Sequence, residues 1–242
     1  MGLSRNVRVR HSASAGRSVQ RKHTGGSDRA RFAGCTFLFY IVAGIASMVL
    51  FSQATGGQEI AAKLASIAHH MLQLRLTIVL GLLQAVCAMV LAVTLYAITR
   101  NQDSDLAMPA MIFRVGEGLL GAISTRATLE LPWLGTSAGP RAPDAVTVRA
   151  LGTYLVDGPD WNMAAILFAM GSTLFSYLFL RGRTIPVPLA WTGVIASVLL
   201  VVTLPLQMAG FLRGPVTSYV WLPMLAFEVP AAFWLLIKGV RT

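Results

Sequence analysis

Apolar and polar positions alternate on a long scale: a polar head, then six apolar runs separated by polar breaks. The runs are 32–51, 76–95, 107–129, 161–180, 187–210 and 219–237. A helix crossing roughly 30 Å of hydrocarbon needs about 20 residues at about 1.5 Å each, so every run is long enough to span a bilayer. Four of them carry no Asp, Glu, Lys or Arg. The third contains Arg114, Glu117 and Arg126, and the sixth contains Glu228. The pattern predicts an all-α polytopic membrane bundle of six transmembrane helices.

The breaks carry signals of their own. Ile60, Leu64, Ile67, Met71 and Leu74 recur at spacings of four and three, which predicts a surface helix or an outward extension of the second span. Residues 130–160 contain Gly135-Thr136-Ser137-Ala138-Gly139-Pro140 and Asp157-Gly158-Pro159-Asp160, both turn-like, with Asp160 placed to cap the fourth helix. These two long loops are expected to hold some ordered structure. No inverted internal repeat stands out.

Composition sharpens the picture. The chain has 242 residues, 55% hydrophobic and 12% charged, with a mean hydropathy of +0.64. A soluble domain is about 45–50% apolar and about 25% charged, so lipid is the solvent that fits. The formal net charge of +10 would suggest nucleic acid on a soluble protein. Its location argues otherwise. Residues 1–31 hold eight Lys/Arg and one acid, Asp28, and so contribute +7 of the total. With Ser, Gly and His between the charges and no apolar period, this segment reads as a disordered basic cytoplasmic tail that meets anionic lipid headgroups. No aromatic residue precedes Phe32, so the stacking platform of single-strand binders is missing and no nucleic-acid partner is expected. Met1-Gly2-Leu3-Ser4-Arg5-Asn6 has Asn where a myristoylation start wants Ser or Thr. A transit or cleaved signal peptide fits less well, because the apolar run of 20 exceeds the usual 7–15 or so.

Outside the spans, an N-in, C-in arrangement puts thirteen Lys/Arg on the inner side and five on the outer. Trp133, Trp161 and Trp221 then lie near outer ends, and Trp191 and Trp234 near inner ends, as an aromatic belt requires. The expected location is a bacterial inner membrane, crossed many times.

Familiar catalytic patterns fail on context. Gly135–Gly139 fits Gly-x-Ser-x-Gly, but Pro140 follows and no strand-to-helix turn surrounds it. His69 and His70 are adjacent, about 100° apart on a helix, and read as a polar face more readily than as metal ligands. None of the four His and no Asp falls inside a span, which disfavours a bis-His haem and intramembrane Ser–His or aspartyl proteolysis. Cys35 and Cys87 read as small buried packing residues. No catalytic residue, cofactor or metal site is expected, and the chain does not read as an enzyme.

The intramembrane charges remain. Arg114 and Glu117, spaced i, i+3, share one side of the third helix, and Arg126 with Glu130 repeats the pairing at i, i+4 nearer the helix end. Glu117 and Glu228 both fall near mid-bilayer, where a charge costs roughly 2.5–3.5 kcal/mol on insertion scales and must find partners in the bundle interior. Gly116, Gly118 and Gly121 would let a neighbouring helix approach closely, and Pro230 frees a backbone carbonyl beside Glu228. Arg114, Glu117 and Glu228 are therefore expected to meet in one polar cluster between the third and sixth spans. Two carboxylates sharing one Arg leave a negative charge over, which suits a proton or cation. The competing reading is a structural ion pair that fixes helix register.

Several stretches in order resemble a bacterial membrane family called only "domain of unknown function 4386". They are Ala30-Arg31-Phe32-Ala33-Gly34, Leu95-Tyr96, Phe113-Arg114-Val115-Gly116-Glu117, Gly171-Ser172-Thr173-Leu174-Phe175-Ser176-Tyr177-Leu178 and Arg181-Gly182-Arg183-Thr184-Ile185-Pro186. The resemblance covers about residues 30–238; Pro188 and the basic extension depart from it. It implies a multi-span bundle and no assigned activity. Two functions stay open: a non-enzymatic membrane protein with a structural, sensory or partner-binding role, or a small proton- or cation-linked transporter using Glu117 and Glu228. Small-residue helix faces also suit homo- or hetero-oligomers. A cavity reaching Glu117 from one side would favour transport, and a dry, fully paired cluster would favour the structural role.

Overall fold

The computed structural model describes residues 4–136, 143–158 and 163–240, with side chains at 27–135, 143–158 and 163–240. The described residues form helices α1 (Ser4–Ala54), α2 (Ile60–His69), α3 (Met71–Thr99), α4 (Ser104–Thr136), α5 (Ala145–Asp157), α6 (Met163–Arg181), α7 (Val187–Met208), α8 (Val216–Tyr219) and α9 (Leu222–Ile237). Six helical segments are long and apolar enough to cross a membrane: Ser27–Ala54, Met71–Thr99, Ser104–Gly135, Met163–Arg181, Val187–Met208 and Val216–Ile237. They coincide with the six apolar runs, including the two that carry charge.

The spans pack in chain order around a ring. α1 lies on α3, α3 on α4, α4 on α6, α6 on α7 and α7 on α9, and α9 closes back on α1. Gly34 makes that closure possible: a Cβ there would sit 2.7 Å from the Ala232 carbonyl oxygen and against the Leu236 amide nitrogen. Only a residue without a side chain lets the two backbones approach so closely. Phe175, Leu178, Leu200, Met224, Phe227 and Leu235 fill the interior. Outside, Phe39, Val42, Met48, Val79, Ile112 and Ile195 are exposed. In lipid such a surface carries no hydration penalty, which is why a chain this apolar can leave it uncovered.

Gly239 lies beside Ser27, so the first span starts and the last span ends at the same terminal end of the bundle. An ion pair of 2.6 Å between Arg181 and Asp103 ties α6 to the α3–α4 turn there, and Asp103 also caps α4 by accepting from the Asp105 and Leu106 amides. The opposite, loop-rich end carries α2 and α5. The stripe on α2 turns inward as its spacing predicts, with Ile67 and Leu74 buried against Ala54 and Leu131. It forms a separate helix because the chain breaks at His70 (φ −110, ψ 34). His70 thus sits at a helix junction instead of continuing the face that carries His69.

The backbone of α1 is helical from Ser4, so the basic segment leads into the first span without a break. No proline interrupts residues 4–54, and extending an existing helix is far cheaper than nucleating one. Cys35 is exposed on the outside of the bundle, whereas Cys87 is buried as expected. α5 is ordered structure of the kind expected in the second long loop. Its start is set by Asp144, whose side chain accepts from the Thr147 amide at 2.7 Å. This cap holds the Asp144 carboxyl below the usual carboxylate range, because the bonds favour its charged form. Lys63 pairs with Asp157 to join α2 to α5. Ser137–Pro140, Asp160 and Trp161 lie outside the described residues, and with them the Gly-x-Ser-x-Gly serine and the proposed cap of the fourth span.

Candidate functional site

Three helices bring their charged and polar groups to the centre of the ring. On α4, Arg114 and Glu117 are one helical turn apart, and Arg114 Nη1 lies 2.7 Å from Glu117 Oε2. From α1, the Tyr40 hydroxyl donates to Glu117 Oε1 at 2.7 Å. The Arg114 guanidinium lies 5.3 Å from the Tyr40 ring centroid and 4.8 Å from that of Phe168 on α6, so aromatic faces replace part of its lost hydration. Gly171 on α6 makes the space: a Cβ there would meet Arg114 Cγ at 2.7 Å. Such an arrangement is high-stakes, since a buried pair that loses one partner leaves an uncompensated charge.

Glu228 on α9 is buried as well, 7% exposed against 2% for Arg114 and 6% for Glu117. It interacts electrostatically with both. Its Oε1 has no hydrogen-bond partner among the described residues. Arg114, Glu117 and Glu228 are thus all buried and within electrostatic reach of one another. The third and sixth spans are not neighbours in the ring, and α1 brings Tyr40 to Glu117 from the α9 side. Arg126 and Glu130 stay apart from this site as an exposed pair at 3.3 Å.

Above Glu117, toward the loop-rich end, is a cavity of about 280 Å³. Tyr40, Gln84, Glu117, Thr125, Phe168 and Trp221 give it its chemistry, and small residues of α3, α4 and α6 make its room. Gly121 has nothing within 4 Å of where a Cβ would stand. It opens the cavity instead of seating a neighbour. Gly118 does seat one, since a Cβ there would lie 2.8 Å from the Ala85 carbonyl oxygen of α3. Phe168 and Trp221 meet at a centroid distance of 6.0 Å and form one wall. A second void, of about 20 Å³, borders Arg114 among aromatic side chains including Phe175 and Phe179. Glu117 lines the larger space and Arg114 the smaller, so the ion pair stands between them.

Sequence reasoning selected Arg114, Glu117 and Glu228 and missed Tyr40, Gln84, Phe168 and Trp221. Aromatic residues are unremarkable in an apolar span, and Tyr40 meets Glu117 across 77 residues. No local spacing announces such a contact. Among the described residues, no group of three or more His, Cys, Asp or Glu is placed to hold a metal ion. No curated protein and no solved structure matches the chain. A family model does, over residues 32–239, which is the whole ring of spans and the cluster inside it. The chain belongs to the family described as "Domain of unknown function (DUF4386)".

Proposed function

We propose that this protein is a non-enzymatic carrier in which a small solute, linked to a proton or another cation, enters the cavity above Glu117 from the loop-rich end. The observation that carries the reading is the cavity of about 280 Å³, which reaches Glu117 and Tyr40 in the middle of the spans. An ionised side chain at bilayer depth is costly, and one that borders a cavity has an alternative to purely structural pairing. Glu228, buried with a carboxyl oxygen that has no hydrogen-bond partner among the described residues, is the group we assign to proton exchange. The excess of lysines and arginines at the opposite end supports a loop-rich end that faces out of a bacterial inner membrane.

A structural role for the pair has one observation in its favour: Glu117 is already engaged by both Arg114 and Tyr40. Two measurements separate the readings. With Cys35 and Cys87 replaced by Ser, Gly121→Cys should react with a membrane-impermeant thiol reagent from one side of oriented vesicles only. In liposomes, pH-driven flux should fall in Glu117→Gln and in Glu228→Gln. If both variants fold and their flux equals that of the unsubstituted protein, the carrier reading fails and the cluster is structural.

A further inference from the structure

We infer that the cavity selects a monovalent organic cation, an ammonium carried on a small apolar or aromatic body; this rests on the carrier reading and names its substrate class. Charge supplies the first part of the argument. The buried cluster holds one guanidinium and two carboxyl groups, and among the described residues Arg114, Glu117 and Glu228 are the buried charged side chains. The carboxyl in excess of the guanidinium is neutralised in low-dielectric surroundings by a proton or by a bound cation, so a ligand carrying +1 has a proton to displace that a neutral or anionic one does not.

Geometry supplies the second part. Of the two charged groups in the ion pair, Glu117 lines the cavity and Arg114 does not. The guanidinium is screened behind Glu117 and the Tyr40 and Phe168 rings. A ligand arriving from the loop-rich end therefore meets a carboxylate and no cationic donor. The hydroxyls also present acceptors: Tyr40 spends its proton on Glu117, and Thr125 spends its own on the Gly121 carbonyl. Gln84 offers an amide with both characters.

The walls supply the third part. Phe168 and Trp221 present aromatic surface, and a ring's negative face attracts an ammonium. A dehydrated inorganic cation such as Ca²⁺ needs about six or more oxygen ligands, and the side chains that line the cavity offer one carboxylate, one amide and two hydroxyls. Its volume is at the lower edge of the roughly 300–1,000 Å³ of small-molecule pockets, which limits the body to a single ring or a few short chains.

Binding of labelled benzyltrimethylammonium to the purified full chain in lipid nanodiscs tests this, with phenylacetate as an anion of similar size. Saturable binding of the cation is expected, at least about tenfold tighter than any binding of phenylacetate, and weakened about tenfold or more in Glu117→Gln. Gly121→Leu fills the cavity without touching a charge and should abolish binding while the protein keeps its thermal unfolding midpoint within a few degrees. Equal binding of phenylacetate, binding unchanged in Gly121→Leu, or displacement by Na⁺ at the concentration of the organic cation would overturn the proposal. So would absence of saturable binding to a protein whose Gly121→Cys form is labelled from one side. In that case the carrier reading stands and only the substrate class is wrong; if the labelling itself fails, the carrier reading falls first.

Discussion

Helix α4 carries two Arg–Glu pairs that look alike in sequence and differ completely in setting. Arg114 and Glu117 are 2.7 Å apart with side chains 2% and 8% exposed. Arg126 and Glu130 are 3.3 Å apart with side chains 82% and 48% exposed. They are separated by about 18 Å along the axis at about 1.5 Å per residue, enough to move from mid-span toward the end of a helix that outreaches the bilayer. The inner pair is almost wholly buried, so it recruits Tyr40, the faces of two rings and a space cleared by Gly171. The outer pair needs none of this. Identical chemistry thus becomes a structural commitment in one place and a surface detail in the other, and dielectric surroundings make the difference.

That contrast can be broken experimentally. Arg114→Leu leaves two buried carboxylates without their cation and should destabilise the bundle by about 3–5 kcal/mol, read as a lower thermal midpoint in detergent. Arg126→Leu, its counterpart, should cost no more than about 1 kcal/mol. Equal losses would mean that burial does not separate the pairs. Gly171→Ala is the next test, because the added Cβ meets Arg114 Cγ at 2.7 Å. Overpacking of this kind costs about 1–3 kcal/mol. The same substitution at Gly121 meets nothing and should leave the midpoint unchanged.

Smaller effects belong to the loop-rich end. Lys63→Ala removes the ion pair that joins α2 to α5, whose side chains are 18% and 40% exposed. The change should cost no more than about 1 kcal/mol and appear as faster hydrogen exchange confined to α2 and α5. The smallest effect is a pH dependence. The Asp144 carboxyl is lowered on folding by the bonds that cap α5, so its contribution is complete above the unfolded value of about 3.9. It is lost as pH falls through the lower folded value. α5 should therefore fray on acidification, by hydrogen exchange or helix-specific spectroscopy, before the spans respond. Asp144→Asn keeps an acceptor at the cap and should remove that dependence; fraying that persists would place its origin elsewhere.

The spans were legible because the bilayer imposes a length and an apolarity that each segment must meet by itself. The stripe at Ile60, Leu64 and Ile67 was legible for a similar reason, since one helical face is written in consecutive turns. α5 was not. Glycine, proline and charge flank it, Gly152 is its one buried residue, and Leu64 of α2 supplies the packing that its own sequence lacks.

Sequence by itself determined that this chain lives in lipid, that it crosses six times, and that Arg114, Glu117 and Glu228 are the residues out of place. Each follows from a local cost that a residue incurs wherever the rest of the chain lies. Tertiary structure alone decided that α1 closes the ring against α9, that Tyr40 reaches Glu117, and that Arg114 is hidden from the cavity while Glu117 faces it. These depend on how helices distant in sequence rotate about their axes to satisfy one another's buried groups, and no single segment encodes that rotation.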